Sequence, residues 1–316
     1  MGKLMIKKEL YFDSSDGNGK IYAVQYVPKD KEVIGVIQIA YGMAEHIGRY
    51  EDFGKIMAQK GFVVTGQDYP GHGKTLKEGE IPGYFSEKDP ATVVVENAHI
   101  LHKLTQAEYS QVPYILLGHS MGSFVVRNYI GRYGNELSAA ILLGTAMQGK
   151  ALIGFGKALN GIQKAIFGTK HVSKLLNHLS FGSNIKYFQP ARTPNDWLTR
   201  DARIVDLYNE DSLCGFLFTA NGFDALFELI GRMNRKDVLQ NIPKELPIMI
   251  MAGTMDPVGS FGKHPKKLYE LMKNKGLDNV EFRLYEGARH ELLNETNREE
   301  IIRDICMWIE KDFIVS

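Results

Sequence analysis

Four short apolar runs rich in β-branched or aliphatic residues, separated by stretches of helical pattern, constrain this chain more than any other feature. They are Val33–Ile39, Phe62–Thr65, Pro113–Leu117 and Ala139–Leu143, and between them lie Arg49–Lys60, Pro90–Tyr109 and Ser123–Tyr133. A run with no polar alternation has no side suited to water, so it is expected between two covering layers, as in a parallel sheet. Strands alternating with helices in this way predict the α/β class, with a mostly parallel central sheet flanked by helices. Gly61 and Gly134 follow two of the helical stretches where C-caps are expected. Ahead of this pattern, Ile6–Phe12 and Lys20–Val27 flank Asp16-Gly17-Asn18-Gly19, whose turn chemistry predicts a hairpin.

The alternation stops at about Thr145 and resumes near Asn241. Between these points the sequence is helix-like: Leu152–Phe167 is amphipathic and Phe216–Met233 is mostly apolar. The α/β pattern returns with strands at Pro247–Ala252 and Val280–Tyr285 and helices near Lys266–Lys275 and Arg298–Phe313. The expected organisation is therefore a first core part at 1–144, a helical cap insertion at 145–241 and a second core part at 242–316. Insertions belong in loops, and loops at the carboxyl ends of parallel strands border the ligand crevice.

Lys+Arg total 38 against 37 Asp+Glu, a net charge of +1, which argues against a broad basic face for nucleic acid. No run approaches eighteen apolar residues, so no transmembrane segment is expected. Met1–Tyr11 lacks the apolar stretch of a signal peptide. Met1-Gly2 starts like a myristoylation site but has Ile6 where Ser or Thr is required. Two cysteines, Cys214 and Cys306, form no C-x-x-C pair and fit a reducing compartment. The expectation is a cytoplasmic protein.

The third apolar run leads into Gly118-His119-Ser120-Met121-Gly122, a G-x-S-x-G pattern with a strand before it and a helix after it. A strand turning sharply into a helix at Ser120 exposes its hydroxyl at a helix N-terminus, where unpaired N–H groups favour negative charge. The glycines stand where a Cβ would collide. A serine nucleophile needs a base and an acid, in the chain order Ser, Asp, His. Asp256 follows the Pro247–Ala252 run and His290 follows the strand ending at Tyr285, so both are expected on the same rim as Ser120. Read singly, Asp256 is also a helix N-cap candidate and His290 a surface residue. The roles assigned are nucleophile for Ser120, general base for His290 and orienting acid for Asp256. Backbone N–H groups of Met121 and Met43 are the expected oxyanion donors, with Gly42 turning the second loop inward.

These residues carry a resemblance. Tyr41–Tyr50 (YGMAEHIGRY), Gln67–Thr75 (QDYPGHGKT), Gly118–Ser123 (GHSMGS), Gly253–Gly259 (GTMDPVG) and Tyr285–Glu295 (YEGARHELLNE) resemble the monoacylglycerol lipase/lysophospholipase-like branch of the α/β-hydrolase superfamily, also described as serine aminopeptidase-like. The resemblance spans nearly the whole core and matches the insertion loosely, most visibly at Asp196–Asp201 (DWLTRD). It implies an α/β-hydrolase fold and a serine carboxylic-ester hydrolase acting on a monoacylglycerol, lysophospholipid or similar acyl ester. It places Ser120, Asp256 and His290 at the triad positions and Met43 and Met121 at the oxyanion positions. It also makes Glu45, Arg49 and His119 residues that hold the substrate head group. Tyr41, where the family usually has His, and Ser123, where a second Gly is common, depart from the pattern.

Gly71-His72-Gly73 lacks the lysine and hydroxyl of a phosphate loop and is read as a rigid turn. His99 and His102 share a helix face but carry no carboxylate at metal spacing, so no metal and no cofactor are expected. His171 and His178 are read as surface or gap-filling residues, and Cys214 as buried and inert. Phe216, Leu217, Phe218, Phe223 and Phe227 pack the insertion onto the core, a few of them lining an acyl tunnel. An apolar cap tip suits transient contact with a membrane surface. A prolyl-aminopeptidase-type enzyme gripping an ammonium through Glu210 and Asp211, and a non-turnover ligand sensor, are the alternatives. Oligomeric state is not readable from the sequence.

Overall fold

The computed structural model describes residues 5–313, so the Met1-Gly2 reading lies outside the described residues. In chain order the elements are β1 (Met5–Asp13), β2 (Lys20–Pro28), β3 (Gly35–Ala40), α1 (Glu51–Gln59), β4 (Phe62–Gln67), α2 (Pro90–Glu108), β5 (Tyr114–His119), α3 (Met121–Tyr133) and β6 (Ala139–Leu143). There follow α4 (Lys150–Phe167), α5 (Lys174–Phe181), α6 (Ala202–Glu210), α7 (Ala220–Met233) and α8 (Lys236–Gln240). The chain ends with β7 (Ile248–Gly253), α9 (Lys263–Asn274), β8 (Val280–Tyr285) and α10 (Arg298–Phe313).

One sheet runs in the order β1-β2-β4-β3-β5-β6-β7-β8. β1, β2 and β4 pair antiparallel, whereas every neighbouring pair from β4 to β8 is parallel. Every residue of β3, β4, β5, β6 and β7 is buried, which is why their sequences carry no polar alternation. Because β5, β7 and β8 are parallel, the loops after them open on one rim of the sheet. Ser120, Asp256 and His290 stand in those loops.

Some local expectations change. The helix expected from Arg49 starts as a 3₁₀ turn at Ile47–Tyr50 and becomes α-helical at Glu51, because the His46 side chain accepts the Gly48 N–H and caps the turn. Gly61 has φ +96°, as a C-cap glycine should. Gly134 does not: its φ is −58° and it starts a 3₁₀ turn. Its need for glycine is spatial, since a Cβ there would lie 2.6 Å from Pro243 Cδ.

Between β6 and β7 the chain is helical apart from a single bridge joining Val172 and Thr219. The amphipathic pattern of α4 is turned the opposite way to a core helix. Its buried side holds Gly156, Asn160 and Gln163 besides Ile153, with Asn160 Nδ2 donating to Ala220 O at 2.8 Å. Leu152, Phe155, Ile162, Ile166 and Phe167 are each more than half exposed.

Candidate active site

At the end of β5 the chain reverses into α3 through Ser120, which has φ +51° and ψ −121°. A non-glycine residue held there is strained, and the surroundings enforce it. Ser120 N–H donates to Leu143 O at 3.0 Å, and Ser123 Oγ donates to Ser120 O at 2.6 Å. Ser123, the departure from the family pattern, therefore ties off the elbow while also meeting Thr145 Oγ1 at 2.8 Å. A Cβ on Gly122 would lie 1.9 Å from Ala40 O, and one on Gly118 would lie 2.5 Å from Gly122 O. These contacts leave room for hydrogen alone.

Asp256 and His290 meet as their chain positions require. His290 Nδ1 lies 3.0 Å from Asp256 Oδ1, and both side chains are buried. The same carboxylate oxygen accepts Val258 N–H at 2.9 Å, which folds the loop after β7. Asp256 is not the N-cap of α9; Gly262 is. Burial opposes a charge on the His290 ring, but the Asp256 carboxylate, helped by Glu291 and Glu45, outweighs it and holds the pKa above the ordinary histidine value. A Cβ on Gly144, the residue after Leu143, would lie 3.2 Å from His290 Nδ1, so the ring rests against the strand that receives the Ser120 amide. Ser120 and His290 border one cavity, and no hydrogen bond joins their side chains in the structure.

Met43, Ser120 and Met121 all border a second cavity. The loop after β3 turns through Ala44, at φ +54°, rather than through Gly42. Gly42 is required for close approach instead: a Cβ would lie 2.7 Å from Glu45 Oε1 and 3.2 Å from Ser120 Cβ. Tyr41, the other departure from the family pattern, is fully buried; its hydroxyl accepts Tyr69 N–H at 2.8 Å and its carbonyl accepts Tyr69 O–H at 3.1 Å. Asp68 accepts Ile47 N–H and Lys74 N–H at 2.8 and 2.7 Å, and its burial raises its pKa.

Behind this loop lies a buried ionic network. Glu45 Oε1 accepts Gly42 N–H at 2.6 Å and Tyr50 O–H at 3.1 Å, and lies 3.3 Å from His119 Nδ1. Arg49 donates to Glu45 Oε2 at 2.6 Å and forks onto both oxygens of Glu291 at 2.8 Å each. Burial alone would push both carboxyl pKa values up, but Arg49 holds both below the usual range. Glu45 and His119 border the cavity on Ser120, whereas Arg49 lies behind them. Glu291 carries no local signal of this role, because its partner Arg49 is 242 positions away.

Ser120 opens onto two spaces. One, of about 360 Å³, is walled by Glu45, His119, Trp197, Tyr208, His290 and Glu291. The other, of about 420 Å³, is mostly apolar and is walled by Met121, Phe124, Ile153, Leu176, Leu226 and Phe227 among others. His178 borders the first space. Phe216 and Leu217 also line the first space and Phe227 the second, while Phe218 and Phe223 are fully buried packing residues.

The segment between β6 and β7 grips the site at two places. Ala44 O accepts Gly215 N–H at 2.9 Å and Tyr208 O–H at 3.2 Å. Asp196–Asp201 is bonded along its length to the His290 loop: Glu291 N–H donates to Leu198 O at 2.7 Å, Thr199 Oγ1 to Asn294 O at 2.9 Å, and Arg200 Nε to Glu295 Oε2 at 2.8 Å.

The remaining candidates resolve as follows. Asp211 Oδ2 lies 2.8 Å from His46 Nε2 and Glu210 is exposed; neither borders the spaces on Ser120. Cys214 is half-buried, and burial pushes its thiol pKa up. His72 is buried in an aromatic cluster, with Nδ1 on Pro70 O at 3.0 Å. The fold brings Glu136 to His99 and His102, donor atoms lying within 4.8 Å of one another, although sequence spacing offered no carboxylate. Both rings are engaged by Tyr129 O–H, at 2.9 and 2.5 Å.

A serine on a strained strand–helix elbow, an Asp–His pair at the next parallel strand ends and this sheet order together define an α/β-hydrolase. The chain belongs to the family described as serine aminopeptidase, S33, whose model matches residues 31–297. It is 26% identical to a monoacylglycerol lipase of Mycolicibacterium smegmatis over 288 residues, 89% of each chain. It is 25% identical to a monoglyceride lipase of Rattus norvegicus, over 89% of this chain and 84% of that one. Among solved structures it resembles a thermostable carboxyl esterase from Bacillus coagulans in complex with glycerol, with a TM-score of 0.85 and 28% identity over 98% and 99% of the two chains.

Proposed function

We propose that this protein is a serine carboxylic-ester hydrolase that cleaves a monoacylglycerol, lysophospholipid or similar acyl ester. The observation that carries the reading is the position of Ser120 between two spaces, one bordered by the buried Glu45, His119 and Glu291 side chains and the other walled by apolar side chains. An ester with a polar alcohol and a long acyl chain has that division at its carbonyl. In this reading His290 takes the Ser120 proton as Oγ attacks the carbonyl carbon, and returns it to the departing alcohol. Asp256 keeps the proton-bearing Nδ1 facing itself and stabilises the charged ring. Met43 and Met121 N–H groups hold the oxyanion. Water, activated by the same His290, then releases the acid from Ser120. The Ser120–His290 hydrogen bond would close on substrate binding, as such bonds are often long in free enzymes.

The head group would occupy the space beside Glu45 and His119, with Arg49 holding Glu45 and Glu291 in place. Residues 145–241 would serve as the cap. The exposed side chains Leu152, Phe155 and Leu179 also line the apolar space, so its mouth lies on the apolar patch of α4 and α5. That continuity supports transient contact of the cap with a lipid surface. The similarity to proteins named monoacylglycerol lipase, monoglyceride lipase and carboxyl esterase supports the ester class. The test is a panel of esters varying acyl length and alcohol, run on the wild type and Ser120→Ala. Activity is expected on monoacylglycerols and to vanish with Ser120→Ala; an unimpaired variant would end the proposal.

A further inference from the structure

Trp197 stands out among the cap residues because its ring packs beside the imidazole of the base. Its ring centroid is 5.2 Å from that of His290, with the planes at 41°. The segment carrying it has little freedom to leave. Besides the bonds of Leu198, Thr199 and Arg200, the Arg289 guanidinium donates to Asp196 O and, at 3.2 Å, to Thr199 O. Asp201 Oδ2 receives Arg298 Nη1 at 3.2 Å. Arg289 also lies over the Phe188 ring, 4.4 Å from its centroid. The loop with the base and this stretch of the insertion thus form one bonded unit. Asp256, by contrast, reaches the ring edge and leaves its face to other groups.

Resting on the hydrolase reading above, we infer that Asp196–Asp201 belongs to the catalytic apparatus. It holds the His290 loop, and Trp197 is a positioning residue whose indole stabilises the imidazolium formed when Ser120 gives up its proton. An indole within about 6 Å of a cation attracts it through the ring quadrupole, and more strongly where water is excluded. The effect acts only on the charged ring, so it favours the state reached during attack over the resting enzyme. The consequence for the cap is that motion giving access to Ser120 must come from α4 and α5, leaving Asp196–Asp201 with the core.

The charged and titratable groups facing His290 are Asp256 after β7, His119 at the end of β5, Glu45 after β3 and neighbouring Glu291; Lys174 and His178 of α5 border the same space. The test leaves all of these unchanged. Trp197→Leu keeps an apolar cover but removes the π face, and Trp197→Phe keeps a weaker one. The His290 ring is titrated by NMR in each full-length protein, and kcat/KM is followed against pH with a soluble ester. With Leu, the His290 pKa and the acidic limb of kcat/KM are expected to fall together by roughly 0.5–1 pH unit. Phe should fall by less. A role in packing alone would lower the folded fraction or the plateau rate and leave the titration where it was. A Leu variant titrating with the wild type overturns the inference. The NMR arm reads it even if the ester panel fails, so the two proposals fail separately.

Discussion

Removing the Arg49 guanidinium leaves Glu45 and Glu291 buried with no cation between them. Both carboxylates are about 96% or more shielded at the side chain, and Arg49 is the group that bonds to each. Breaking a buried ion pair by deleting one partner costs about 3–5 kcal/mol, because the survivor keeps its desolvation penalty. The unfolding entropy near 60 °C is roughly 2.1 cal/mol/K per residue, so 316 residues give about 0.66 kcal/mol/K and a Tm drop of about 5–8 °C for Arg49→Met. The loss should depend on pH. In the wild type both carboxyl pKa values are depressed, so their stabilisation is present above the unfolded carboxylate pKa and is lost as pH falls through the folded values. In Arg49→Met the main group opposing burial is gone, so the carboxyl pKa values rise and the variant loses further stability as pH rises above the unfolded value. The Tm gap between the two proteins should therefore be wider at pH 8 than at pH 5. Arg49→Lys keeps a charge but loses the fork, and should fall between them. Calorimetry across pH provides the assay. A variant melting within about 1 °C of the wild type, or a gap with no pH dependence, refutes the reasoning.

Three further outcomes follow from the geometry. Gly122→Ala puts a methyl 1.9 Å from the Ala40 carbonyl, and should cost more than the ~1–3 kcal/mol typical of overpacking, read as loss of soluble protein or a large urea-midpoint shift. Gly42→Ala crowds Glu45 and Ser120 and should lower the melting temperature by displacing the buried Glu45 carboxylate, and kcat by about 10²-fold or more by displacing the Met43 amide; unchanged kcat in the folded variant would count against Met43 as a donor. Because the His290 pKa is raised, hydrolysis should fall off on the acid side with a midpoint above the ordinary 6.5, and a midpoint below it would contradict the Asp256 contact.

The apolar runs, the turn glycines and the chain order Ser, Asp, His were enough to predict the sheet, the elbow and the rim on which the three side chains lie. Each of those signals is local: a buried strand cannot alternate, and a strand–helix reversal that brings backbones together cannot carry a Cβ. What the chain pattern did not contain was partnership across distance. The family resemblance assigns Arg49 to the substrate head group, and only the fold sets it against Glu291; Trp197 has no role of its own until the segment between β6 and β7 folds back over His290. Glu136 joins His99 and His102 only through the packing of α2 on α3 and the turn that follows it. The outward apolar side of α4 likewise needed the tertiary structure, because an amphipathic period names two faces without saying which one is buried. Local sequence sets backbone geometry and which residues avoid water; only the assembled chain decides which charges and rings meet.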